Sequence, residues 1–491
     1  MVNLFLKLLN FLKIPSKQFV KMIVRLKILA TLGPAIFKKN IINNLIHAGV
    51  DGFRINFSHN LTGIEKVVKT IRDCEKINNK HIAIVADLQG IKLRIGKILG
   101  NQILLKKGDI FNFDLNKKIG SQSRVYLPYP EIFKKIKKNN KILIDDGKFV
   151  FKITKLFKNS IQTICQNDCT VKNFKSIHIP GLEVNFDNLT AKDKRDIQFA
   201  KKLNCNWIAL SYVKNSKIIQ QTRKLIPRDV GIISKIENKS AIKNIKDIII
   251  NSDAIMVARG DLAVEIGANE VPHVQLDIVK KCSELGKPVI IATQMLESMI
   301  ENNKPTRAEI NDVGTSVFQG TDVVMLSAET AVGKYPLQVI QAMKKTILST
   351  EKYKKENINL FKSKTKINKD PVRAIALAIK DIAYNIKVEA IIAFSVSGNT
   401  AKLVSAIRPS AKIITISPNI NISRQLSLLW GVTSITSKDA KNWRQMMKIS
   451  KEIIKSKKLT KVGGYAIITA GLPFGKSKMT NMIRLYQLGK N

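Results

Sequence analysis

The sequence predicts an α/β protein built on a TIM-type (β/α)8 barrel, with an inserted β-rich lid domain and a C-terminal α/β domain. Three observations lead there. Eight short β-branched runs punctuate the first two-thirds of the chain, one interval between them is far too long for a single helix, and a strand–helix alternation resumes after a Lys/Asn-rich stretch. The runs are KILATLG (27–33), GFRINFS (52–58), IAIVADLQ (82–89), WIALSY (207–212), GIISKIE (231–237), AIMVARG (254–260), PVIIATQ (288–294) and DVVMLSAE (322–329). Each begins apolar, as a strand buried on both faces must, and ends in polar or charged residues. Helical periodicity separates most of them. In such a barrel the active site lies at the C-terminal ends of the strands.

The domains follow from these intervals. Residues 1–24 form an N-terminal extension that mixes Leu, Phe and Lys at helical spacing; Lys7 interrupts its apolar run, which is too short to span a bilayer and lacks a secretory cleavage site. It reads as an amphipathic extension or as the product of an upstream start codon. Residues 25–90 are the first part of the barrel. In 91–187, segments such as NQILLKKGDIFNFDL and KILIDDGKFVFKITKLF alternate with period two around Gly and Asp turns, which predicts a small β domain placed to act as a lid. Residues 188–352 complete the barrel and 353–369 are a connector. In 370–491 the runs EAIIAFS, KIITIS and YAIITAG alternate with helices, giving a separate α/β domain.

With 491 residues and 45% hydrophobic content, the chain can bury several cores. Its formal charge of +46 would suit nucleic acid, but Lys is scattered over nearly every helix face and loop, with no Arg-rich or aromatic-interleaved tract. No nucleic-acid partner is expected, and neither is a membrane. The field favours anionic phosphates as substrates. Five widely spread cysteines without CxxC spacing suit a reducing cytoplasm. Cys165 and Cys169 read as reduced structural thiols, the alternative being half of a zinc site.

Polar residues gather at the ends of the runs. Arg54, Asn56 and Ser58 follow the second, Asp87 and Arg94 the third, Lys235 and Glu237 the fifth, Arg259 and Asp261 the sixth, and Thr293 the seventh. Each has an ordinary alternative: Lys235 and Glu237 as a strand-end ion pair, Arg54 as a partner for a rim carboxylate. Together they would bury many charges at one mouth unless an anion and a metal offset them.

The segments KILATLGPA, FRINFSHN, VADLQGIKLRIG, SKIEN, MVARGDLAVEI, ATQMLESM, PTRAEINDV and GTDVVMLSAETAVGKYP closely resemble the motifs of pyruvate kinase, in family order across about residues 25–345. The remainder is similar to the family's C-terminal regulatory domain. The resemblance implies Mg2+-dependent phosphoryl transfer from phosphoenolpyruvate to ADP, giving pyruvate and ATP, by a cytoplasmic homotetramer. It makes Glu237 and Asp261 the magnesium ligands, with Mn2+ as a substitute. Lys235 and Arg54 face the transferring phosphoryl group, the amides of Gly260 and Asp261 hold the substrate carboxylate, and Thr293 lies beside the enolate carbon. Arg94, Lys192 and His59 fall on the nucleotide side, and Asp146 in the lid's IDDG turn approaches on closure.

The family's K+ site maps to Asn56, Ser58, Asp87 and the carbonyl of Leu88. Lys92 stands there in place of the carboxylate of potassium-dependent relatives, which implies little dependence on K+, with Asp87 paired in the lysine's neighbourhood. Ile91 and Ala263 depart from the family's proline and glycine. Asn399 in SGNTA (397–401) replaces an effector-loop arginine, which puts sugar-phosphate or nucleotide activation in doubt. GLPFGKS (471–477) resembles a P-loop but has three residues between its glycines where four are needed.

Overall fold

The barrel strands are Lys27–Thr31, Gly52–Asn56, Ala83–Asp87, Trp207–Leu210, Gly231–Ile236, Ala254–Ala258, Val289–Ala292 and Val323–Leu326, numbered first to eighth below. In this computed structural model, which describes residues 24–59, 61–145, 147–182, 188–357, 371–473 and 479–489, they close into one parallel barrel in which each strand pairs with its neighbours in sequence and the first with the eighth. Residues 1–23, Asp146 and most of the connector lie outside the described residues. No helix among the described residues is long and apolar enough to cross a membrane.

The period of two decides what each strand residue buries. Leu29, Val85, Trp207, Ala209, Ile233, Met256, Ile290 and Met325 fill the barrel interior, while their neighbours Ile28, Ile84, Ile208, Ile232, Ile255 and Val324 pack outward against the helices. Both faces are therefore apolar, as the near-continuous hydrophobic runs require. Each strand ends before its run does. Arg54, Asn56, Asp87 and Lys235 lie in the strands themselves near their C-terminal ends, while Glu237 and Thr293 leave the ladder for the loops at the barrel mouth, where a ligand can reach them.

The inserted domain carries a six-stranded sheet and a separate two-stranded pair. Phe111, Phe113 and Phe151 are fully buried and meet with ring centroids 5.4–5.8 Å apart. Cys165 and Cys169 lie buried in this domain with their sulfurs 3.4 Å apart and without a disulfide. The C-terminal domain is a five-stranded sheet ordered Val432–Thr436, Lys412–Ser417, Ala390–Phe394, Tyr465–Ala470, Met482–Gln487, with the last strand antiparallel. The first and last of these go beyond the three strands expected. The P-loop look-alike lies partly outside the described residues, which end at Pro473 and resume at Met479.

Candidate active site

Barrel register sets the mouth of the site. The second strand pairs Asn56 with Asp87 of the third, and the fourth pairs Ala209 with the same Asp87. Arg54 points to this carboxylate, its Nε 2.6 Å from Asp87 Oδ2, and its other arm reaches Thr31 Oγ1 at 3.2 Å. Asp87 is only 2% exposed. Its burial opposes ionisation, but Lys235 and Arg54 outweigh that and hold its carboxyl below the usual range.

Lys235, at the end of the fifth strand, is the hub. Its Nζ lies 2.8 Å from Ser211 Oγ, 2.9 Å from Glu237 Oε1 and 3.3 Å from Asp87 Oδ1. Burial alone would favour the neutral amine; Asp87 and then Glu237 reverse this and raise its pKa. Glu237 moves upward too, driven by burial and then by the nearby Asp261, with Lys235 in opposition. The asymmetry has a plain cause. Lys235 answers two carboxylates, whereas Glu237 shares one ammonium with Asp87. Glu237 Oε2 accepts the Tyr212 N–H at 2.5 Å, but the buried Oε1 has no hydrogen-bond partner in spite of the close ammonium.

Asp261 sits in the first turn of the helix Arg259–Ile266 that follows the sixth strand. Its Oδ1 lies 3.1 Å from Lys92 Nζ and 3.3 Å from Tyr212 Oη. This corrects one expectation: Lys92 pairs with Asp261, and the cations beside Asp87 are Arg54 and Lys235. The Gly260 N–H donates to Thr293 Oγ1 at 3.0 Å, so the amide expected to hold a carboxylate is joined to the hydroxyl expected beside it. Thr293 and Gln294 have φ of 68° and 54°, in the left-handed region that non-glycine residues seldom adopt. Arg259 holds them there, donating to both their carbonyls while pairing bidentately with Asp312 at 2.7–2.8 Å. Arg259 thus serves the mouth by shaping it.

The remaining expected residues divide. Lys192 Nζ lies 2.7 Å from the Phe57 carbonyl, beside the exposed His59 in the loop after the second strand. Arg94 belongs to the lid base, where its guanidinium donates to the Phe174 carbonyl and its amide to Tyr129 Oη. Asp146 lies outside the described residues. Asn56 Oδ1 accepts the Ser58 N–H at 3.1 Å, and the Leu88 carbonyl accepts the Ser211 hydroxyl at 2.8 Å. A cavity of about 270 Å3 between lid and barrel is lined by Lys92, Ser211, Tyr212, Glu237 and Asp261 on its floor and by His178 and Leu182 of the lid.

The family model for the pyruvate kinase barrel domain matches residues 23–340, and that for the pyruvate kinase alpha/beta domain matches 373–486. The chain belongs to the pyruvate kinase family. A pyruvate kinase of Agrobacterium vitis is 36% identical over 472 residues, covering 96% of this chain and 98% of that one. The pyruvate kinase of Methylorubrum extorquens is 36% identical, with coverage of 94% and 97%. Among solved structures, a pyruvate kinase from Cryptosporidium parvum superposes with a TM-score of 0.86 at 30% identity, covering 94% of this chain and 96% of that one. The chain is therefore a phosphotransferase of glycolysis, acting between phosphoenolpyruvate and ADP, and its family generally depends on Mg2+ and K+.

Among the described residues no cluster of three or more His, Cys, Asp and Glu side chains forms a ready metal cage. The pyruvate kinase chemistry does not need one. A hard divalent ion that keeps water and substrate oxygens as ligands requires only one or two protein carboxylates, and Glu237 presents a buried oxygen without a hydrogen-bond partner. Sequence reasoning missed Ser211, Tyr212 and Ser327, whose buried Oγ at the end of the eighth strand has no hydrogen-bond partner. Their signal was available, since each occupies the polar end of a β-branched run.

Proposed function

We propose that Lys235, Arg54 and Thr293 carry the phosphoryl transfer and enolate steps, with Glu237 and Asp261 as magnesium ligands. One observation carries the reading: a largely buried ammonium fixed by three contacts at the strand ends, between two carboxylates. When bound, magnesium supplies positive charge to the substrate's phosphoryl and enolate oxygens. Lys235 adds a positioned cation where charge is shared in the transition state, and Arg54 grips the same phosphate from the second strand. The bond from phosphorus to the enol oxygen breaks as a terminal ADP oxygen bonds to phosphorus, and the enolate then takes a proton at carbon. Thr293 Oγ1 already accepts from Gly260, so its own proton is directed elsewhere, towards the mouth, where it can join the proton path. The Asp261 amide orients the substrate carboxylate at a helix start, and the Gly260 amide joins it on exchanging Thr293 Oγ1 for the substrate. Arg94, Lys192 and His59 receive the nucleotide, and allowing Arg94 to take part requires movement of the lid base.

The same reading makes the assembly a cytoplasmic homotetramer, supported by exposed apolar side chains on outer barrel helices, among them Leu276, Phe318 and Tyr353. Light scattering on purified protein decides it, and a monomeric mass refutes it. The chemistry is tested by coupled pyruvate formation. Lys235→Met is expected to lose at least three orders of magnitude in turnover, about the loss from removing an electrostatic transition-state donor. Glu237→Gln should instead raise the magnesium concentration needed for half activation, by about tenfold or more, because a neutral amide is a poor ligand for a hard cation. An unchanged magnesium titration removes Glu237 from the site.

A further inference from the structure

We infer that Tyr212 is a positioning residue that fixes both proposed magnesium carboxylates at once, an inference that rests on the metal assignment above. Tyr212 directly follows Ser211 at the end of the fourth strand, in a left-handed conformation with φ of 55°. That turn aims its backbone N–H at Glu237 Oε2, 2.5 Å away, and its side chain across the cavity floor to Asp261, where the phenol lies 3.3 Å from Oδ1. Glu237 comes from the fifth strand and Asp261 from the helix after the sixth, so the two carboxylates are held by separate elements. Tyr212 joins both, and so sets where one carboxylate stands relative to the other.

The contacts fall on chosen oxygens. On Glu237 the N–H occupies Oε2, while the buried Oε1 faces the Lys235 ammonium 2.9 Å away. On Asp261 both the phenol and the Lys92 ammonium take Oδ1. Tyr212 thus leaves the second oxygen of each carboxylate to other groups, that of Glu237 to the Lys235 ammonium. A left-handed tyrosine is strained backbone, which persists where the surroundings over-determine it. The strain lies where a metal pair must be held, as with the hydrogen-bonding partners that orient ligands at other metal sites. A tyrosine that only packed into the cavity would need no hydroxyl.

Tyr212→Phe tests this, because it removes the hydroxyl and keeps the ring, the backbone amide and the turn. The readout is direct binding of Mn2+ to the full-length protein without substrate, followed by the electron paramagnetic resonance signal of free Mn2+. Tyr212→Phe is expected to weaken Mn2+ binding about three- to tenfold, the range between loss of one neutral hydrogen bond and loss of an outer-shell metal partner. Its thermal midpoint in metal-free buffer should match the parent's, which a merely structural hydroxyl would not allow. Asp261→Asn is titrated alongside, and adding Tyr212→Phe to it should cause little further loss. If Asp261→Asn weakens Mn2+ binding and Tyr212→Phe leaves it within about twofold, the positioning role is refuted while the metal assignment stands. If Asp261→Asn also binds like the parent, the metal assignment fails and takes this inference with it.

Discussion

Lys92 changes its meaning once its partner is known. Its ammonium reaches Asp261 at 3.1 Å, while Asp87, the carboxylate at the family's K+ position, is compensated by Arg54 and Lys235. Two other donors of the position that the resemblance assigns to K+ are engaged as well: Asn56 Oδ1 by the Ser58 N–H, and the Leu88 carbonyl by the Ser211 hydroxyl. A monovalent cation would meet two fixed positive side chains on Asp87, Arg54 and Lys235, and like charges repel strongly at short range where water is scarce. We therefore expect turnover to change only about twofold or less when tetramethylammonium replaces potassium, a threshold taken from the weakness of screened surface charges. A loss of about a hundredfold, nearly 3 kcal/mol, would require a bound cation and sink the idea. The site's charged residues were legible because each ends a buried strand. The identity of Lys92's partner was not, because it depends on how the lid hinge lies over a helix from a distant part of the chain. For the same reason the sequence could not show that Lys235 neutralises Asp87 as well as Glu237. Lys235→Met therefore removes stability along with activity, about 3 kcal/mol for one broken buried pair, and its assay belongs well below its lowered thermal midpoint.

At the scale of elements, the barrel strands were legible from period and apolarity alone, and the structure mainly shortens them. The strand Val432–Thr436 was not, because VTSIT is short and polar and owes its pairing to Lys412–Ser417 alongside. The helix Ile64–Ile77 serves two ends at once. Its inner face packs on the barrel, while Glu75 near its end is 5% exposed and gathers partners from elsewhere. Arg72 lies 2.8 Å from it and His81 3.0 Å. Arg424 of the C-terminal domain reaches both carboxylate oxygens at 3.0–3.1 Å. Burial opposes the charge on Glu75, but the hydrogen bond from His81 and the two arginines bring its pKa down from 4.5 to about 2. Because the folded value lies below the ordinary one, this contribution is complete above about pH 4.5 and is lost as the pH falls towards 2. It amounts to about 3 kcal/mol. Glu75→Gln should thus lower the denaturant midpoint clearly at pH 7, with the gap to the parent narrowing as the pH drops from about 4.5 to 3. A gap that stays constant over that interval would mean the ionised carboxylate is not its source.

Over the whole molecule, the C-terminal domain is bound to the underside of the barrel, opposite the mouth. Leu428 enters the barrel's interior core and the Trp207 indole donates to the Gln425 carbonyl. Beside them Trp430 meets two guanidiniums, Arg25 at 5.1 Å and Arg408 at 4.6 Å from its ring centroid. Arg25 leads into the first barrel strand, and its chain is fixed by Glu351, which accepts its N–H and that of Leu26. Arg408 belongs to the C-terminal domain and crosses to the barrel, reaching Asp322 at 2.8 Å and the Gly320 carbonyl at 2.7 Å. One indole thus meets a cation from each domain, and each cation crosses the seam: Arg25 donates to the Pro409 and Ser410 carbonyls of the C-terminal domain, and Arg408 to Asp322 of the barrel. Removing the ring takes away its packing and both cation–π contacts. Trp430→Ala should cost about 3 kcal/mol, within the range for losing a large aromatic side chain. Because the ring packs against the barrel core and the C-terminal core alike and so joins them, calorimetry should show its loss as a separation: one transition for the C-terminal domain moving to lower temperature ahead of the barrel's. If the variant instead unfolds in a single transition at the parent's temperature, Trp430 does not hold the domains together.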